Sequence, residues 1–124
     1  MKVVEFEGVV TEVRPGEVPG ILVAKIESDD RKLTATVDMH VKVRFADEND
    51  RVRVTISTEL PEFVKGVDFV ARGVPFYVSL EGERRKIQIS IGGLQFILTG
   101  DPEVLSSIRI EPFKEVYIKI AKIT

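Results

Sequence analysis

The chain has 124 residues, 44% of them hydrophobic and 31% charged, with a formal net charge of −2, one histidine and no cysteine. That length fits one domain with a packed core and is short for two. The absent cysteines exclude disulfides, thiolate catalysis and cysteine-ligated metal sites, the lone His40 excludes a centre built on several imidazoles, and the near-balanced charge disfavours a domain whose main task is gripping phosphates.

Val and Ile together number 31, against 5 Ala and 7 Leu. Branching at Cβ stiffens χ1 and suits a pleated sheet, so a mostly β chain is expected. One Asn, two Gln and two Met beside many Lys, Arg and Glu make a composition met in hyperthermophiles. The opening MKVVEFEG puts glutamates where a signal peptide would be apolar, which argues against export. No apolar run approaches the roughly 20 residues of a membrane span.

Residues 2–13 alternate, with Val4, Phe6, Gly8 and Val10 on one side and Glu5, Glu7 and Thr11 on the other, and read as a strand. RPGEVPG, 14–20, is a turn. ILVAKIES, 21–28, is a second strand, closed into a hairpin by Ser28-Asp29-Asp30-Arg31. From 32 to 45, fourteen residues alternate without a break: Leu33, Ala35, Val37, Met39, Val41, Val43 and Phe45 against Lys32, Thr34, Thr36, Asp38, His40, Lys42 and Arg44. A strand of that length in a small domain is expected to bend and serve two parts of a curled sheet. Asp47-Glu48-Asn49-Asp50 is a polar turn, and 51–59 alternates again with Val52, Val54 and Ile56 inward. LPEFVKGVD, 60–68, connects to a strand over 69–82 that is interrupted near Gly73 and Pro75, where the missing amide donor predicts an edge or a bulge. Gly82-Glu83-Arg84 is a turn. KIQISI, 86–91, and LQFILT, 94–99, are strands joined at Gly92-Gly93. Asp101-Pro102-Glu103 offers an N-cap, a first-turn proline and an acid for a short helical turn through about Ser107. Residues 113–123 form the last strand. Eight or so strands with almost no helix and no dividing linker predict an antiparallel Greek-key barrel or sandwich.

No catalytic constellation emerges. His40 lies between Asp38 and Lys42 on the polar parity; an acid–base role oriented by Asp38 is the sharper reading, and a solvent-facing histidine the simpler one, since no nucleophile is placed near it. Asp47–Asp50 fails as a calcium loop, because the sixth residue from Asp47 is Val52 and the twelfth is Thr58. Gly92-Gly93 lacks the lysine of a phosphate loop; a bulge or tight barrel corner is the favoured reading, close approach by a partner's backbone the other. Arg84, Arg85 and Lys86 are the densest basic group, a weak candidate for nucleic-acid contact or simply a solvated hairpin end. The nine aromatics mostly fall on apolar parity, which favours core packing over a base-stacking surface.

LTATVDMHVKV with a short acidic turn and RVRVTISTEL, then ISIGGLQFILTGDPEVL and KEVYIKIAKI, together resemble the small OB-fold subunit of RNA polymerases, the eighth subunit of the eukaryotic nuclear enzymes and the G subunit of the archaeal one. The resemblance runs from about residue 33 to the C-terminus and rests on the order and spacing of the blocks. Where eukaryotic members carry a longer acidic insertion this chain has LPEFVKGVD, and where an aromatic precedes the glycine pair it has Ile91. The resemblance implies one OB-fold-like, all-β barrel over 1–124, of about eight strands with one short helical turn. It implies a non-catalytic polymerase subunit, docked on the largest subunit and aiding assembly and stability, while the short loops and the composition fit a cytoplasmic member from a heat-adapted archaeon. No cofactor, metal, membrane or small-molecule substrate is expected, and nucleic acid is left to the large subunits. The motif carries over as a partner-binding set at Ser90, Gly92, Gly93, Leu94 and Phe96. The competing function is a stand-alone OB-fold that binds single-stranded nucleic acid; an enzyme using His40 and acidic residues is the least supported.

Overall fold

Alternating β-branched and polar residues resolve, in the computed structural model, into a closed antiparallel barrel; the structure describes residues 1–81 and 84–123. The strands are β1 (Lys2–Pro15), β2 (Ile21–Ser28), β3 (Leu33–His40), β4 (Arg51–Ser57), β5 (Phe69–Glu81), β6 (Arg84–Ile91), β7 (Leu94–Gly100) and β8 (Val116–Lys122). A 3-10 turn occupies Val41–Val43, and one helix, α1, spans Pro102–Ser106. Around the barrel the order is β1-β2-β3-β7-β6-β5-β8-β4, and β4 returns to β1. Among the described residues no helix is long and apolar enough to cross a membrane.

Closure relies on two long strands that each change partner. β1 pairs with β4 through residues 2–9 and with β2 through 8–15, so Gly8 stands opposite both Ser28 and Val52. β5 pairs with β8 from Phe69 to Gly73 and with β6 from Val74 onward. Both crossing points are glycines for a steric reason. A Cβ on Gly8 would lie 2.3 Å from the Glu27 carbonyl oxygen, and one on Gly73 would lie 2.6 Å from Ile89 Cγ2. Bare Cα atoms therefore let strands approach closely where the long strands change partner.

Inward positions of all eight strands fill the barrel. Val10, Ala24, Ile26, Val37, Val54, Ile89, Phe96 and Ile118 have no accessible surface. Burying each larger aliphatic side chain contributes about 1.5–3 kcal/mol. Phe45 and Phe69 stack at 4.1 Å between ring centroids over one end. Leu105 is buried and anchors α1; its amide bonds to the Asp101 carbonyl, while the Asp101 side chain makes no cap hydrogen bond. The connection over 60–68 is tied down by Lys119, whose Nζ donates to the Glu62 carbonyl at 2.6 Å and lies 3.8 Å from the Asp68 carboxylate.

Two expectations change, and the expected irregularity near Pro75 is found. The fourteen-residue alternation does not make one strand: Ile21 opposite His40 is the last β2–β3 ladder pair, and beyond it the Val41 amide donates to the Gly20 carbonyl in the loop before β2. The His40 imidazole instead accepts the Lys42 amide through Nδ1, the chain turns, and Val41 and Val43 are exposed. Residues 69–81 run as one strand, with the irregularity a bulge between Pro75 and Tyr77. The last strand starts at Val116, because Phe113 adopts φ 65° and leaves the extended path. The expected turn at Gly82-Glu83 lies outside the described residues.

Charge is arranged across the β1–β4 seam. Arg53 clasps Glu7 at 2.6 Å, directly opposite in the ladder, and Arg51 donates to Asp29 at 2.8 Å. The Arg51 hydrogen bond holds Asp29 below the ordinary carboxylate range. The Lys32 amide, then the Ser28 hydroxyl, do the same for Asp30 in the β2–β3 turn. Partial burial alone would raise Glu5, but hydrogen bonds from Lys2 and Thr55 outweigh it and lower its pKa. All three groups have lower pKa values folded than unfolded. Their contribution is therefore complete above the unfolded value and lost as pH falls through the folded one.

Thermal melts should accordingly be flat near neutrality and fall below about pH 4, with Asp30→Asn shrinking that fall. Gly8→Ala should destabilise by about 1–3 kcal/mol through overpacking against backbone, read as a lower urea midpoint with unchanged m-value.

Candidate partner-docking site

β6 and β7 form a two-residue hairpin. Ile91 pairs with Leu94, and Gly92 and Gly93 between them have φ 66° and 91°. Positive φ at both central residues is what a tight hairpin demands, since it matches the twist of the strands. A Cβ at either glycine would meet nothing within 4 Å. The pair is thus a turn open to solvent, and the tight corners are at Gly8 and Gly73 instead.

The five residues expected to bind a partner do not share one environment. Ser90 faces outward, opposite Val74 of β5 and Gln95 of β7. Gly92 and Gly93 are exposed, and Leu94 is half-buried against the end of the core. Phe96 has no accessible surface, so it supports the hairpin from within and presents nothing to a partner. Leu98, two residues on and of the same parity, is buried with it.

Arg85 and Lys86 of the basic group lie on opposite faces of β6. Ile87 points inward, so Arg85 shares its parity while Lys86 faces out. Arg85 donates to Ser106 Oγ of α1 at 3.2 Å. The side chain of Arg84 lies outside the described residues. His40 is exposed and bonded to the Lys42 amide, and Asp38 turns the other way, its Oδ2 accepting the Gln95 amide at 3.1 Å. Asp38 therefore orients β7 and not the imidazole. Asp47–Asp50 closes as a turn, with the Asp47 amide on Asp50 Oδ2 and Arg44 on Asp47. Among the described residues no three His, Cys, Asp or Glu side chains group to hold a metal.

Two apolar surfaces flank the glycine turn, and sequence parity missed both. On one side Val74, Phe76, Tyr77 and Val78 of β5 are exposed, next to Phe113, which is 75% exposed and whose amide donates to the Pro75 carbonyl. The bulge at Phe76 resets alternation, so Tyr77 faces out opposite Gln88. Beyond that Phe113 bond, no described strand pairs with residues 76–79 on the side away from β6. On the other side a groove of about 550 Å³ crosses the outer face of β2, β3 and β7. Ile21, Val23, Leu94 and Ile97 line it, with Glu17, Asp38 and Arg14 among its polar residues. The signal in the sequence was the unbroken ILVA at 21–24 and FIL at 96–98, where aliphatics occupy both parities.

The family model of the G subunit of DNA-directed RNA polymerase matches residues 3–123. Among solved structures, the cytoplasmic molybdate-binding protein ModG aligns with 96% of this chain and 89% of its own at 11% identity and a TM-score of 0.36. None of the curated protein sequences matches significantly. The blocks from residue 33 onward, the eight-stranded closed barrel and a family match running almost end to end agree: the chain belongs to the family of DNA-directed RNA polymerase G subunits.

Proposed function

We propose that the chain serves RNA polymerase as a peripheral, non-catalytic subunit that docks on the largest subunit and aids assembly and stability in transcription. The observation that carries this reading is the family match over residues 3–123. The docking surface is centred on the β6–β7 turn, with Ser90, Gly92, Gly93 and Leu94 meeting the partner and Phe96 bracing them from the core. Support comes from the neighbouring exposed Val74, Phe76, Tyr77, Val78 and Phe113. Large apolar side chains left exposed near one another mark a candidate protein interaction site, and aromatic side chains are favoured anchors there. The hyperthermophile-like composition supports a heat-adapted archaeal cytoplasm as the setting.

The aromatics Tyr77 and Phe113 also invite comparison with a base-stacking surface, which needs free cations beside them. Here Arg72 lies 3.5 Å from Glu115 and Lys114 lies 3.0 Å from Glu111. With these two cations paired, a net charge of −2 favours a protein partner over a phosphate backbone.

Polymerase reconstituted from its separate subunits should retain this chain only when the largest subunit is present. Tyr77→Asp should lower its retention about tenfold or more, as loss of a buried aromatic anchor does, without changing its melting midpoint by more than a few degrees. The isolated chain should show no salt-dependent binding of single-stranded oligonucleotides at micromolar concentration; such binding would favour the stand-alone reading.

A further inference from the structure

We propose that the groove on the outer face of β2, β3 and β7 receives an extended segment of the polymerase partner that presents an aliphatic side chain flanked by lysine or arginine. This rests on the docking reading above and names the chemistry of its second flank.

Three observations converge on that occupant. First, the groove floor is aliphatic on the wet side of the barrel. Ile21, Val23 and Ile97 lie outside the core cluster although the alternate residues Leu22, Ala24, Phe96 and Leu98 lie within it or against it. An outward β-face in a small barrel is expected to be polar, so these side chains stand where a partner's apolar group would bury them. Second, the charges at the rim are unbalanced toward acid. Glu17 and Asp38 line the groove, and Arg14, the one cation among the described lining residues, has its Nε 3.5 Å from Glu12. A cationic side chain therefore meets complementary charge, while a phosphate backbone meets repulsion. Third, the β3–β7 ladder parts here. Its last pair is Val37 with Phe96, yet β3 continues to His40 and β7 begins at Leu94. Asp38 Oδ2 takes up the Gln95 amide, and no described strand pairs with Asp38–His40 on the side away from β2. Main-chain groups left along a strand end are matched by a segment in extended conformation, whose alternate side chains then fall into the groove.

Gly93 and Leu94 line the groove as well as belonging to the β6–β7 turn. One partner chain crossing the turn would thus cover the β5 surface with one part and the groove with the next.

The test uses polymerase lacking this chain, immobilised through its largest subunit, and measures equilibrium binding of the full-length wild type, Glu17→Lys and Val23→Lys, with melting curves for each. The proposal expects wild-type binding and a loss of about tenfold or more for both variants. Glu17 lies in the exposed loop before β2, so should Val23→Lys not fold, the Glu17→Lys result decides. Wild type binding with both variants equal to it would overturn the groove and leave the docking reading standing. No binding by the wild type would overturn both. Competition by a single-stranded oligothymidylate that Glu17→Lys strengthens would overturn the groove's occupant in favour of nucleic acid. Concentration-dependent dimerisation of the free chain that both variants abolish would overturn it in favour of a second copy.

Discussion

Pairing of β1 with β4 converts a coiled sheet into a barrel, and the positions of all surface features follow from that closure. The two strands meet across the whole of β2 and β3; the Arg53–Glu7 clasp spans 46 residues of sequence. Closing so long a loop costs chain entropy before any contact rewards it. The reward is the removal of a sheet edge and the burial of Val4, Phe6, Val52, Val54 and Ile56 at or against the core. Gly8 makes the geometry available by letting β1 lie close against β2 where, at Gly8 and Val9, it also faces β4. The surface ion pairs along the seam each contribute little in water. Their alignment with the ladder register helps fix which residues face each other, since a slip by one would set Glu7 outside its place opposite Arg53.

Strand number, most boundaries and the core parity were legible in the sequence, because alternation records burial directly. Val52, Val54 and Ile56 are inward as their spacing requires. Alternation does not record where a partner strand ends. That is why Val41 and Val43 continue the pattern of Leu33–Met39 and yet lie in solvent: β2 supplies no residue beyond Ile21 to pair with them. It also fails at a bulge. Parity carried through Pro75 puts Tyr77 inside, whereas the extra residue at Phe76 turns it out. Most of the nine aromatics were expected to pack in the core, yet four of them, Phe63, Phe76, Tyr77 and Phe113, are exposed.

The candidate site was legible in part. The Gly92-Gly93 turn, Ser90 and Leu94 sit together at one end of the hairpin, whereas Phe96 belongs to the interior and the glycines serve turn geometry, not a tight corner. The groove was harder to see, because Val23, Asp38 and Ile97 are far apart in the chain and meet only through the β2–β3–β7 order. Tertiary strand order, which a single sequence does not display, makes them neighbours.

This barrel carries two apolar surfaces, one on either side of one hairpin tip. Amide hydrogen exchange of the chain, free and within assembled polymerase, tests whether that tip is the place of contact. Assembly should slow exchange at residues 21–23, 38–40, 76–79 and 90–95 and leave the β1–β4 seam unchanged. New protection confined to the seam around Glu7 and Arg53, with the hairpin tip exchanging as in the free chain, would contradict it.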